Sequence, residues 1–403
     1  MGISIKKIDK MVLTSAFILS FIFSGSALSI CVASLNTWLM YLVFVIMVAY
    51  LLRHKGKIVF RKAECFQRIG IFFLPMITMF ISGGTPFNYA WSRYFLTVIL
   101  AWILVHEISR EKILLIFRNT MLVIAVISLV GYVVFNLLGF YTLLPTMSKL
   151  NESSTVYYTA LIYNMLNIAQ YRNCGIFWEP SIFAAYLSLA LIVHLFFVEK
   201  SKIRDTFILA IAILTTNSTG GYILLILITL IKLLEKRQIL WLSVTVTAFA
   251  VITTLFSEQI IEVLMKFNPE LFGKLFYFAG SGSSLTRYYS SIINLRIWLT
   301  NPILGIGLPQ LDDEYLVWRL ILAPESLAPA QTSTSTIMLA SLGIAGIYYN
   351  YLCIKASWQK TLTVFQRVIV LIIIFFIVNQ TPHTYFVMTY ILLFTFAYKE
   401  EKT

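Results

Sequence analysis

The sequence has few charged residues for its length. Of its 403 residues, 12% are charged and 59% are hydrophobic, whereas a soluble domain has roughly twice that charged fraction. Hydrophobic runs recur from one end to the other, which leaves no room for a separate soluble domain. We therefore interpret residues 1–403 as a single polytopic membrane domain.

Cysteine and histidine are scarce as well. The four cysteines, Cys31, Cys65, Cys174 and Cys353, show no CxxC spacing, and none of the four histidines is spaced as a pair. The sequence therefore predicts no metal site. It also lacks a P-loop, a GxSxG motif and a GxGxxG motif that follows a strand, so we expect no cofactor.

The net charge of +13 does not indicate a nucleic-acid partner. The basic residues lie in short clusters between apolar runs rather than on one surface, as the positive-inside rule predicts. If there are twelve spans, every cluster falls on the same side of the membrane. That arrangement places both termini in the cytoplasm.

About twelve membrane-spanning helices are predicted, because a span needs roughly 20 apolar residues and such runs recur along the chain. They lie near 11–32, 37–52, 69–82, 90–106, 118–139, 180–198, 206–217, 220–234, 239–256, 333–352, 367–380 and 385–398. The expected fold is an all-α membrane protein with two large outside loops, at about 140–179 and 257–332, that contain short helices. In the second loop, the residue pattern predicts helices over 258–267 and 288–299.

Two short polar turns, at 217–221 and at 380–384, are predicted to face the outside and to lie below the surface of the membrane. Irregular backbone at that depth is tolerated only inside protein or against a water-filled cavity. The sequence therefore suggests an outward-facing polar cavity roofed by the long loops. Ser218 and His383 are candidates to bind substrate there, and the ordinary alternatives are a turn residue and a hydrogen-bonded histidine.

The string RNCGIFWEPSIFA, at 172–184, combines an arginine, a carboxylate and a helix start. Arg172 is a candidate to bind an anion, and Glu179 is a candidate base or substrate clamp at the rim of the cavity. In the alternative interpretation, Pro180 begins a helix and Glu179 stabilises its N-terminus.

Two arginines of the second loop, Arg287 and Arg296, are candidates for a pyrophosphate clamp, because a guanidinium fork matches phosphate oxygens. The alternative is a pair of interfacial residues that contact lipid phosphates. The positive-inside rule makes arginines on the outside less expected, which favours a function for this pair.

These motifs resemble those of bacterial O-antigen polymerases and O-antigen ligases. The pattern is Arg287, a helix, then P-x-x-G-x-G at 302–307, followed by the small-residue step SLGIAG at 341–346. The strings at 172–184 and 218–222 also resemble steps of that family. Its ligases carry a histidine in the large loop, shortly before the span that ends it, whereas 257–332 contains no histidine. The departure favours the polymerase branch.

The resemblance implies a Wzy-type polymerase of the bacterial inner membrane, which joins oligosaccharide repeat units carried on undecaprenyl pyrophosphate into O-antigen or a related surface polysaccharide. It implies a metal-independent glycosyltransferase whose partners are those lipid-linked oligosaccharides, membrane lipids and a chain-length regulator. Two alternatives stay open: an O-antigen ligase that transfers glycan to lipid A core, and a polysaccharide flippase or transporter. The expected catalytic residues are Glu179 and Arg287, and the expected substrate-binding residues are Arg172, Arg296, Ser218 and His383.

Overall fold

The computed structural model describes residues 11–19, 25–53, 72–84, 88–149, 152–160, 162–198, 202–235, 282–323, 331–358, 367–368 and 370–375. Of the described residues, 76% are helical, which agrees with the predicted helical class. The predicted spans at 239–256 and 385–398, the predicted helix at 258–267 and His383 lie outside the described residues.

The α-helices from residue 27 onward whose two ends are both described are numbered here in chain order. They are α1 Ala27–Cys31, α2 Ala33–Arg53, α3 Leu74–Ile81, α4 Tyr89–Glu107, α5 Arg110–Gly131, α6 Pro180–Phe196, α7 Ile203–Thr215, α8 Thr219–Glu235, α9 Gly282–Thr300, α10 Leu311–Leu322, α11 Thr334–Leu342 and α12 Ile344–Ser357. A π-helix, Tyr132–Leu137, continues α5, and short 3₁₀ turns cover Phe140–Leu143 and Asn167–Ala169. The predicted helix at 288–299 is confirmed and lies inside α9.

One helical stretch among the described residues, Arg110–Leu137, is long and apolar enough to cross a membrane by itself. Shorter apolar helices cover Ala90–Val105, Pro180–Phe196 and Thr219–Leu233. The core helix of a soluble protein passes the same test of length and composition. The described residues therefore do not support the predicted number of twelve spans.

The predicted first span, 11–32, is not one continuous helix. Helix covers 11–19, and the chain is extended at Ser26, which forms an isolated antiparallel bridge with Phe177. The Ser26 hydroxyl then accepts a hydrogen bond from the amide of Ser29 at 3.2 Å and caps α1, as serine commonly does. The small residues Gly25 and Ser26 supply the break that the apolar composition concealed.

The first of the two predicted loops, at about 140–179, contains a sheet, which corrects the expectation of short helices alone. Three antiparallel strands, β1 Thr146–Lys149, β2 Glu152–Ala160 and β3 Tyr163–Leu166, pair in the order β1-β2-β3. Over 155–160 of β2, buried residues alternate with half-buried ones, the period of a strand with one covered face. The run SSTVYYTA at 153–160 is rich in residues that favour strands, so the signal was present in the sequence.

The predicted span at 333–352 is broken into α11 and α12 at Gly343, whose φ is +56°. The loop at 302–307 fills this break. The amides of Ile306 and Gly307 donate to the carbonyls of Ala340 and Ser341 at 3.0 Å each, and the Ile344 amide donates to the Ile303 carbonyl at 2.9 Å. Carbonyls at the end of α11 thus find partners that a helix end otherwise lacks.

Helix α6 lies at the centre of the main core and is buried along nearly its whole length. It packs against α5, α7 and α8. A second cluster, which joins α9, α10 and α11, is formed by Ile293, Ile297, Leu311, Tyr315, Ile337 and Ala340. The segment at 171–179 leads into α6, and its residues Arg172 and Glu179 interact electrostatically with Arg287 of α9.

Candidate functional site

Three of the predicted site residues, Arg172, Glu179 and Arg287, come together in the structure. Arg172 and Glu179 lie on the irregular segment that leads into α6, and Arg287 lies in the second turn of α9. The charges of all three interact electrostatically with one another. This convergence joins the segments predicted as the two long loops at one place.

The backbone around Arg172 is held by two asparagines, of which Asn136 is half-buried and Asn173 is buried. Asn136, on the π-helix, donates through Nδ2 to the carbonyls of Gln170 and, at 3.4 Å, of Arg172. Asn173 is fully buried, and its Nδ2 donates to Ser128 Oγ at 3.2 Å and to Thr215 Oγ1 at 3.0 Å. The segment that carries Arg172 is therefore fixed to α5 and α7 by side-chain hydrogen bonds.

The Arg172 guanidinium is anchored by one edge. Its Nε donates to the carbonyl of Thr216 at 3.1 Å, which orients the planar group against the turn between α7 and α8. Among the described residues, no protein acceptor takes the two terminal nitrogens. Those nitrogens are the part of the fork that binds two oxygens of a phosphate.

Glu179 precedes Pro180 at the start of α6, but its carboxylate does not cap the helix. The side chain is exposed, and Oε2 accepts a hydrogen bond from the Ser181 hydroxyl at 3.1 Å. Its backbone is held in place because the Trp178 amide donates to the Gly25 carbonyl at 3.3 Å and the Ala27 amide to the Ile176 carbonyl at 3.0 Å. The carboxylate is thus positioned by extended backbone and remains accessible.

Arg287 is placed by the packing of α9. Ser290, Ile293, Asn294 and Ile297 are fully buried on one face of this helix, and Arg287 lies at the edge of that face. The loop at 302–307 that follows α9 is bonded to the break between α11 and α12. The P-x-x-G-x-G and SLGIAG motifs therefore pack on each other and fix the C-terminal end of α9, the helix that carries Arg287 in its second turn.

The electrostatics of the three groups are those of an anion site. Burial lowers the pKa of Arg172, and the thiol of Cys174 and the carboxylate of Glu179 act in the opposite direction. Burial also lowers the pKa of Arg287, with Glu179 opposing the shift and Arg172 adding to it. Two guanidinium groups share one carboxylate, so the site carries net positive charge and is stabilised by an added anion.

The structure records no ion pair between Glu179 and either arginine, all three of which are described. The carboxylate oxygens of Glu179 therefore lie more than 4.0 Å from the guanidinium nitrogens of both arginines. A phosphate held by the arginines and a hydroxyl directed at the carboxylate fit such an arrangement chemically. Glu179 and Arg172 therefore do not form a direct structural ion pair.

Arg296 is not part of this group. It lies nine residues after Arg287, which is about two and a half turns of α9 and about 14 Å along its axis, so the two side chains leave opposite flanks. Arg296 is exposed, and its guanidinium lies over the Trp318 ring, 5.1 Å from the centroid. The structure does not bring it to Arg172 and Glu179.

Ser218 lies at the start of α8 and is buried. Its Oγ accepts from the Gly221 amide at 3.4 Å, so it has the position of a capping hydroxyl. The preceding Asn217 adopts a φ of +51°, which makes the sharp turn. The role of Ser218 in substrate binding stays a prediction, as does that of His383, which lies outside the described residues.

The asparagines that hold Arg172 were not among the predicted site residues. Asn136 lies near the end of the apolar run at 118–139, and Asn173 directly follows Arg172. A lone asparagine inside an apolar run is a signal of a buried hydrogen bond. The sequence could not show the partners of these asparagines, because the bonded groups lie about 35 to 45 residues away in the chain.

Among the described residues, no group of three or more His, Cys, Asp or Glu side chains is placed to hold a metal ion. Comparison of the chain with protein-family models, with curated proteins and with solved structures finds no match. The functional interpretation therefore depends on the site itself and on the resemblance of its motifs.

Proposed function

We propose that this chain is a metal-independent membrane glycosyltransferase that polymerises oligosaccharide repeat units carried on undecaprenyl pyrophosphate. The observation that carries the proposal is the convergence of Arg172, Arg287 and Glu179 without a direct ion pair between them. The reaction needs cations at a departing pyrophosphate and a carboxylate at an attacking hydroxyl. This group of residues offers both in one place.

In the proposed reaction, the oxygen of an acceptor sugar hydroxyl attacks the anomeric carbon of the donor glycan. The bond between that carbon and the pyrophosphate oxygen breaks, and undecaprenyl pyrophosphate leaves with the electron pair. Arg172 and Arg287 stabilise the charge that develops on the leaving group. Glu179 accepts the hydroxyl proton or orients the hydroxyl. Partial burial of the arginines strengthens the contact, because less water screens it.

The proposed setting is the bacterial inner membrane, with about twelve spanning helices and both termini in the cytoplasm. Stripes of exposed apolar side chains support it. On α7 the exposed residues recur along one face, and exposed apolar surface of that extent is unusual in soluble monomers. These residues are Ile203, Phe207, Ile211 and Leu214. The π-extended α5 shows a similar stripe at Val123, Val126, Val130, Val133 and Leu137.

The proposal is tested by substitution of Arg287 in a strain whose polysaccharide depends on this chain. Arg287→Ala should abolish long polymer on a gel, while single lipid-linked units still reach the outside. Arg287→Lys should lose much of the activity too, because lysine keeps the charge but not the planar donor pair. Loss of the outside units would instead indicate a flippase.

Arg296→Ala is the matched comparison, since it makes the same substitution on the opposite flank of the same helix. It should shorten the polymer far less than Arg287→Ala does, at equal protein level. Full polymer length in Arg287→Ala would remove this residue from the site and overturn the proposed role of the anion cluster.

A further inference from the structure

Two tyrosines, Tyr132 and Tyr222, flank Arg172 and take no part in the reaction described above. The Tyr132 hydroxyl donates to the carbonyl of Tyr171, next to Arg172, at 3.1 Å. The Tyr222 hydroxyl lies 3.0 Å from both the Leu214 carbonyl and Asn217 Oδ1. Arg172 Nε binds the Thr216 carbonyl of the same turn, so Tyr132 contacts the segment that carries Arg172 and Tyr222 contacts the turn that anchors its guanidinium.

The local backbone explains why Tyr132 stands there. It is the first residue of the π-helix, in which the wider turn displaces side chains from their α-helical positions; such segments are frequent at functional sites. Asn136 of the same segment binds the carbonyls of Gln170 and Arg172. The π-helix therefore holds the arginine segment and one of the two rings together.

Both hydroxyls are used within the protein, and the rings are partly buried. The hydroxyl contacts restrain both side chains, and the part of each ring that remains exposed is the surface available to a ligand. Tyr222 interacts electrostatically with Arg172 and with Tyr132, so the three side chains form one group. Rigid aromatic surface beside a convergent polar group is the usual composition of a small-molecule site.

We propose that Tyr132 and Tyr222 form a carbohydrate subsite that binds the pyranose ring attached to the pyrophosphate of the lipid-linked donor. A pyranose presents apolar C–H groups on its faces and hydroxyls at its edges, and the flat face of an aromatic ring matches the former. The subsite rests on the proposed function, since it adjoins the arginines that hold the pyrophosphate. It specifies where the donor sugar lies when the anomeric carbon is attacked.

The test is direct binding to the full-length protein in detergent, with three probes. These are undecaprenyl pyrophosphate without a sugar, and the same lipid carrying one N-acetylglucosamine or one galactose. We expect at least one sugar to tighten binding to the wild type. Tyr222→Leu should weaken the sugar-carrying probe about five- to tenfold, the range of one aromatic contact, and leave the sugar-free probe unchanged.

Matched variants separate the ring from its hydroxyl and from general disturbance. Tyr222→Phe keeps the ring and should retain the preference for the sugar-carrying probe. Tyr141→Leu removes a tyrosine of the same outer region whose ring packs on Tyr158, 5.0 Å between centroids, and should not alter the preference. If Tyr222→Leu does not fold, Tyr132→Leu is measured in the same way.

The outcomes are distinct. A sugar preference that survives in the folded leucine variants, or that is absent from the wild type while undecaprenyl pyrophosphate still binds, overturns the subsite and leaves the proposed function standing. Failure of the wild type to bind any of the three lipids overturns both. Loss of the preference in Tyr222→Leu with retention in Tyr222→Phe supports the subsite.

Discussion

The substitution Gly343→Ala tests the junction that positions α9 and thus Arg287. Gly343 separates α11 from α12 at φ +56° and ψ −123°, a region that L-residues with a side chain rarely adopt. A methyl group at this position would collide with the carbonyl of Ile303 and lie 2.6 Å from the amide nitrogen of Gly305. Both obstacles are backbone atoms, so neither can rotate away.

The expected loss of stability has two parts. The positive φ costs roughly 1–2 kcal/mol for a residue with a Cβ atom. Displacement of the packed 302–307 segment adds about 1–3 kcal/mol, as in overpacked cores. Gly139→Ala is the control, because Gly139 has a φ of +78° but nothing within 4 Å of the added methyl group. It should show only the first part, roughly 1–2 kcal/mol.

The measurement is the thermal unfolding midpoint of the full chain in detergent. Taking about 2 °C per kcal/mol for a large chain, Gly343→Ala should unfold several degrees below Gly139→Ala. Equal unfolding midpoints for the two variants would show that the 302–307 segment does not pack in contact with Gly343. In that case the packing of the two glycine motifs described here would be wrong.

Three further predictions concern charges and topology. Arg118→Leu removes the buried partner of Asp205, whose Oδ2 lies 2.7 Å from Arg118, and should lower the free energy of unfolding by about 3–5 kcal/mol. Arg204→Ala removes an exposed partner of the same carboxylate and should lower it by about 0–1 kcal/mol. Equal losses in the two variants would contradict the stabilising role of the buried Arg118–Asp205 pair. Glu179→Gln should cut polymer yield at unchanged protein level, because the amide still accepts from Ser181 but takes up no proton; long polymer would remove the carboxylate from the chemistry. Reporter fusions at Ser153 and Asp312 should be active only outside the cytoplasm, and fusions at Lys57 and Lys360 only inside it. A cytoplasmic signal at Asp312, in the 257–332 loop, would contradict the predicted topology.

Several helices could be predicted from hydropathy because an apolar run and a helix usually begin and end together. The runs at 90–106, 180–198 and 220–234 correspond to α4, α6 and α8. Hydropathy failed where a small residue breaks the backbone inside an apolar run. Ser26 and Gly343 both do so, and each break is stabilised by hydrogen bonds from a segment that lies far away in the chain.

The strands β1–β3 were missed for a different reason. The residues of β2 alternate with a period of two, but all three strands lie between long apolar runs that dominate a hydropathy profile. Attention to Val156, Tyr157 and Tyr158, which favour strands, would have found β2. Its partners depend on a register that only the pairing with β1 and β3 shows.

The sequence by itself determined the helical class and the chemical character of Arg172, Glu179 and Arg287, because residue type and local pattern suffice for both. Tertiary structure alone decided that these three residues meet while Arg296 points to the other flank of α9. A local pattern specifies neither which loops approach each other nor which face of a helix is buried. Those depend on Asn136 and Asn173, on the packing of α9 and on the contact between two glycine motifs, whose partners are distant in the chain.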